Sequence, residues 1–183
     1  MQIRRVVAGV DAEGTTRFLS DGPVPFSHEF VHLPGQAHAR VWHSHTVPTT
    51  TPPAEETTSD DGPILAEPGG ASFLLVQYAP DSVAFQDGFD GAAAGGEFAA
   101  KLPDLAATMD PAVPGMHRTR TVDFGIVLDG EIWLEVGSGE EKQLRAGDTV
   151  VQLAGRHAWR NKSDRPATIA FVLTGASETG SSA

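Results

Sequence analysis

The chain has 183 residues, 40% of them apolar, enough to fill one core in one domain with extensions. Its formal net charge of −11 argues against nucleic acid and anionic membrane surfaces as partners. The absence of cysteine excludes disulfides, thiolate metal sites and cysteine nucleophiles. MQIRRVVAGV reads as a first strand rather than a signal peptide, and no segment approaches the roughly 20 apolar residues of a membrane span. The expectation is a soluble, cytoplasmic protein.

In chain order, strand signals dominate. IRRVVAG and TTRFLS flank Asp11-Ala12-Glu13-Gly14, a hairpin with a four-residue turn. A further strand is expected over residues 39–43. Residues 46–63, TVPTTTPPAEETTSDDGP, are rich in Pro, Thr and acids and are expected to form an exposed loop. The apolar run 71–78, bounded by Gly-Gly and Pro, predicts a buried strand. Helical spacing of Phe98, Leu102, Leu105 and Met109 predicts one helix over about 95–109, kinked or split at Pro103. Short strands follow after Gly115, with turns at Asp129-Gly130, Gly137-Ser138-Gly139, Ala146-Gly147-Asp148 and Ser163-Asp164. Asp129-Gly130 carries the signature of a type I′ hairpin. Residues 176–183 are small and polar, expected as a disordered tail. Regularly spaced short strands predict an all-β sandwich or barrel.

One strand face stands out. From His117 onward, Thr119, Thr121 and Asp123 fall on the same face as the histidine, because side chains alternate along a strand. An imidazole, two hydroxyls and a carboxylate make a polar wall. Other histidines are weaker candidates. His43 and His45 form a real HxH without a following glutamate, and two surface or loop histidines are the preferred reading. His28, His32 and His38 carry no ligand pattern.

Residues 115–173 resemble the cupin family on two motifs. His117, Thr119, Asp123 and Gly130 take the positions of the first motif's two histidines, glutamate and glycine. Gly147-Asp148 opens the second motif and His157 with Asn161 closes it, with one residue fewer between Gly147 and His157 and Leu153 near the motif's proline. The segment also resembles small stand-alone cupins of actinobacteria and fungi, several of them in natural-product pathways. The resemblance implies a double-stranded β-helix (jelly-roll) barrel. Residues 1–110 would supply an N-terminal β extension, opening strands, loop and helix; residues 111–175 the barrel core; and 176–183 the tail.

A complete cupin motif holds a divalent transition metal by three histidines and a glutamate. Here Thr119 is a feeble ligand, and Asp123 is one methylene shorter than glutamate, a reach lost of about 1.5 Å. His117, His157 and Asp123 survive as a two-histidine-one-carboxylate set for Fe, Mn, Ni or Zn. The alternative drops the ion and makes the same three residues an acid–base group suited to proton abstraction and water elimination. A third reading is a polar patch in a barrel that binds a small molecule without converting it. Thr119, Thr121, Trp159 and Asn161 are expected to contact the substrate, with Phe73, Leu75, Val127 and Phe171 lining the rest of the pocket. The resemblance implies a lyase, dehydratase, cyclase or oxygenase acting on a small organic acid or polyketide-like metabolite. It also implies a homodimer, to which the amphipathic hairpin over residues 2–20 would contribute at a sheet edge.

Overall fold

A computed structural model describes residues 1–48, 56–60 and 62–177. The expected tail lies mostly outside these residues, as does the middle of the Pro/Thr-rich loop. The described part of 46–63 contains neither helix nor strand.

Eleven strands make three sheets among the described residues. The predicted N-terminal hairpin is present: β1 (Arg4–Val10) pairs antiparallel with β2 (Thr16–Pro23) as a separate two-stranded sheet. Its turn is closed by Asp11, whose carboxylate accepts from the N–H groups of Glu13 and Thr15. The hairpin is tied to the body by Arg5, which donates to the Val41 carbonyl and lies 5.8 Å over the Trp42 ring.

The main sheet contains β3 (Phe26–Glu29), β4 (Ala37–Ser44), β5 (Ala71–Tyr78), β6 (Thr121–Asp129), β9 (Thr149–Leu153) and β11 (Ala167–Gly175). Its spatial order is β3-β4-β5-β11-β6-β9. A smaller sheet, ordered β10-β7-β8, is made from β7 (Glu131–Val136), β8 (Glu141–Arg145) and β10 (His157–Arg160). Ile132 of the small sheet and Val127, Ile169 and Phe171 of the large one share one buried cluster. This is the two-sheet arrangement of a jelly roll, with apolar side chains of both inner faces meeting between them.

Asp129-Gly130 is not a hairpin turn. β6 pairs with β11 and β9, whereas β7 pairs with β10 and β8, so the chain crosses between sheets at this point. Asp129 has no positive φ, which a type I′ turn requires; only Gly130 does, at 79°. The glycine is needed for close approach as well, since a Cβ there would lie 2.8 Å from Ala167 Cα. Corner and hairpin share one sequence signal, and pairing decides between them.

The helix arrives as two pieces, as Pro103 implies, but starts earlier than expected. α1 (Gly91–Lys101) is capped by the Asp90 carboxylate, which accepts from Ala92 and Ala93 N–H; α2 (Pro103–Ala106) carries Pro103 at its first turn. A 3₁₀ turn over Asp81–Phe85 and the strand β3 have no counterpart in the predicted elements. Both helices are pinned across the barrel. Glu97 accepts from Val31 and His32 N–H and pairs with His28, while Asp104 accepts from Ile64 and Leu65 N–H. Phe98, Leu102 and Leu105 consequently point into the hollow that the sheets leave.

Candidate functional site

The hollow is a cavity of about 540 Å³ with mostly apolar walls. That lies in the size range of pockets that bury small organic ligands. His117, Thr119, Asp123, His157, Trp159 and Phe171 line it together, so the residues expected to converge do so.

His117 and His157 meet because they are direct antiparallel partners. Each donates its backbone N–H to the other's carbonyl at 2.9 Å. Residues paired in this way present side chains on one face, and the ring centroids lie 4.3 Å apart. The segment around His117 thus joins the small sheet beside β10, then crosses to the large sheet, where β6 begins at Thr121 rather than at His117. Each ring also turns Nδ1 to the carbonyl two residues before it: His117 to Gly115 and His157 to Gly155, both at 2.9 Å. A carbonyl only accepts, so Nδ1 carries the proton in both rings and each Nε2 keeps a lone pair. Neither Nε2 meets a hydrogen-bond partner among the described residues.

Burial keeps both rings neutral. It pushes His117 down to about 4, and the neighbouring His157 adds to the effect against the pull of the Gly115 carbonyl and Asp123. His157 is lowered by burial too. Asp123 moves the other way: burial raises its carboxyl pKa, opposed by Thr121 and His117. Its Oδ1 is buried without a hydrogen-bond partner among the described residues.

Among the described residues no group of three or more His, Cys, Asp or Glu side chains is gathered so as to hold an ion. Thr119, at another of the motif's ligand positions, offers only a neutral hydroxyl. His117, His157 and Asp123 are thus not gathered around one point among the described residues.

Several expected contacts fall elsewhere. Thr121 is buried behind the wall, donating its hydroxyl to Thr119 at 2.7 Å. Asn161 borders the cavity, but its side chain is fully used on the turn after β10: Nδ2 donates to the Tyr78 and Arg165 carbonyls, and Oδ1 accepts from Ser163. Val127 faces inward but lies in the packed core beyond the cavity. Phe73 is 38% exposed on the outer face, and Leu75 alternates with it; Leu74 and Val76 point inward instead. In a run such as Phe73-Leu74-Leu75-Val76 every residue is apolar, so alternation leaves no mark on the sequence.

Three contributors were not foreseen. Tyr78, at the end of β5, lines the cavity beside Trp159, with ring centroids 6.2 Å apart. His38 lines it from β4, and the helices close it with Phe98, Leu102 and Leu105. His43 is not a surface histidine: it is buried in a separate small hollow, with Nδ1 bonded to Ser72 Oγ at 2.6 Å and Nε2 to His45 Nδ1 at 3.1 Å.

The strands form an all-β jelly roll with paired histidines between its two sheets, the arrangement that the cupin resemblance implies. Residues 107–173 match the family model described as cupin domain, and this part of the chain is a cupin domain. Among curated proteins, phomopsin biosynthesis cluster protein C′ of Diaporthe leptostromiformis is 54% identical over 48 residues, 26% of this chain and 25% of that protein. Cupin-domain-containing oxidoreductase srdB of Neurospora crassa is 38% identical over 88 residues, 42% of this chain and 45% of its own. The chain thus spans from about a quarter to under half of these relatives' length. Among solved structures, an RmlC-like cupin from Shewanella frigidimarina superposes with a TM-score of 0.41 at 13% identity, covering 79% of each chain. No helix among the described residues is long and apolar enough to cross a membrane.

Proposed function

We propose that the chain is a cupin enzyme of secondary metabolism that moves a proton on a largely apolar organic acid or polyketide-like molecule. The observation that carries this reading is the pair of neutral imidazoles, in contact inside a largely apolar cavity, with both Nδ1 atoms tied to carbonyls and both Nε2 lone pairs left over. Relatives named as biosynthesis-cluster proteins and as cupin-domain-containing oxidoreductases support the setting. They do not supply the reaction.

The residues suit an elimination. Nε2 of one imidazole takes a proton from carbon next to a substrate carbonyl. The pair accepts one charge, since a second would be repelled at this separation. Asp123, its carboxyl pKa raised by burial, delivers a proton to the departing hydroxyl. Water leaves, a carbon–carbon double bond forms, and the imidazolium returns its proton to Asp123 through solvent or product. Thr119 holds a substrate oxygen, and Trp159 and Phe171 pack on the apolar part.

The experiment is exchange in heavy water. Purified protein is incubated in deuterium oxide with a metabolite extract from a strain lacking the gene, followed by mass spectrometry. The expected result is one compound that gains deuterium or loses a water, and keeps doing so after chelator dialysis. An extract that binds without change points to a non-catalytic binding cupin. Turnover abolished by chelation and restored by iron, manganese, nickel or zinc points to a metalloenzyme.

A further inference from the structure

We infer that His38 is a second ligand contact of the cavity, and that the molecule bound there carries an uncharged hydroxyl or carbonyl at the end remote from the histidine pair. The inference rests on the cavity being the ligand site.

His38 is only 5% exposed and lines the cavity from β4. Its Nδ1 is buried with no hydrogen-bond partner, and its Nε2 bonds to no described residue. Buried polar atoms of native proteins are nearly always paired, so a ring with neither nitrogen engaged calls for a partner that the described residues do not provide. The neighbours are committed elsewhere. His28 pairs with Glu97, and Arg40 donates to the carbonyls of Ser59, Gly62 and Lys101. The ring is held in place by apolar and aromatic packing, 5.7 Å from Phe30 and 6.0 Å from His28 between centroids.

The position sets the ligand's shape. His38 lies opposite Val76 on β5, and Asp123 lies on β6, three strands away in the order β4-β5-β11-β6. Three spacings make about 14 Å along the sheet, and less across the hollow because the sheet curves. Between the two ends the wall is Leu74, Val76, Phe171 and Leu173, covered by Phe98 and Leu102. Burial and Arg40 hold the ring uncharged, with a pKa of about 4. A neutral imidazole offers one N–H and one lone pair, which suit a hydroxyl or carbonyl oxygen better than a carboxylate or an ammonium. The substrate class is therefore an elongated apolar molecule with an oxygen at each end.

Two fluorescent probes test this: a stilbene with a para-hydroxyl on each ring, and the stilbene with one. The diphenol is expected to bind about tenfold more tightly, the worth of one well-made hydrogen bond. His38→Phe keeps the ring and removes both nitrogens. It should erase the tenfold difference and melt at the same or a higher temperature. Equal binding of the two probes to the wild-type protein overturns this inference and leaves the cavity as ligand site standing. So does a tenfold difference that survives His38→Phe, or a lower melting temperature for that variant, which would mark a structural histidine. Binding of neither probe overturns the cavity reading and this inference together.

Discussion

Tyr78 and Asp123 face one another electrostatically inside the cavity: burial raises the phenol's pKa, and the Asp123 charge raises it further. The phenol is thereby held in its neutral, proton-carrying form, and burial separately raises the Asp123 carboxyl pKa. Asp123→Asn keeps size and removes proton transfer, so turnover should fall by roughly 10²–10⁴-fold, the usual worth of a general acid or base. Folding should be spared, because the carboxylate oxygen that is lost had no partner to lose. The check is a rate measurement beside a thermal melt. A variant that melts early and loses activity in proportion would make Asp123 structural.

The metal question has a direct answer in elemental analysis. Protein purified without added metal is expected to carry well under one equivalent of iron, manganese, nickel or zinc, since no three donors are gathered for an ion among the described residues. A full equivalent that disappears in His117→Ala would reverse this and restore the three-ligand reading.

Gly130 offers a stability test of the sheet-to-sheet corner. Gly130→Ala imposes a left-handed φ of 79° on an alanine and brings its Cβ to 2.8 Å from Ala167 Cα. The expected loss is about 1–3 kcal/mol, read from denaturant unfolding. Ser138, at the neighbouring hairpin turn, should by contrast accept alanine with little change.

The motif part of the chain was readable because its spacing encodes geometry. His117, Thr119 and Asp123 alternate along one face, and His157 stands at the position that barrel closure sets beside His117. The opening strands were less readable. β5 was bounded correctly by its turn residues, yet the inward set Leu74 and Val76 could not be told from Phe73 and Leu75 by composition. His38 had no local signal at all. Its role depends on β4 pairing with β5 and on neighbours such as His28 that bond to other groups, and both are properties of the folded chain.

The outer face of the large sheet predicts self-association. Phe73, Val172, Phe124 and Val151 are direct cross-strand partners on β5, β11, β6 and β9, and all four are 37–58% exposed. Ile126, Leu128 and Leu153 extend the same face. A contiguous apolar row of this kind on a sheet marks an interaction surface. We propose a homodimer that packs these faces together, a different surface from the N-terminal hairpin favoured by the sequence alone. Light scattering at micromolar concentration should give twice the 19.3 kDa chain mass, and Phe124→Lys should give one. A wild-type monomer would defeat the proposal.

Acid should destabilise this protein earlier than its carboxylates alone would require. His38 and His117 both titrate at about 4 in the folded chain, against 6.5 when unfolded, and His157 is depressed as well. Between those values the unfolded state binds protons that the folded state refuses. Stability is thus fully present above pH 6.5 and is lost as pH falls toward 4. For the deeply buried His38 the loss is on the order of 3 kcal/mol over the whole interval. Asp123 opposes the trend, because its raised folded pKa lets the native state take up a proton first. Four depressed histidines, His43 among them, against one raised buried carboxyl leave a net fall. Thermal melts at half-unit steps from pH 7 to pH 4 should show a declining midpoint. His38→Phe should flatten the slope by removing one of the four contributions, while leaving the midpoint at pH 7 unchanged or higher. An unchanged slope in that variant would mean that His38 is protonated in the folded chain at these pH values, with a charged partner in place of burial.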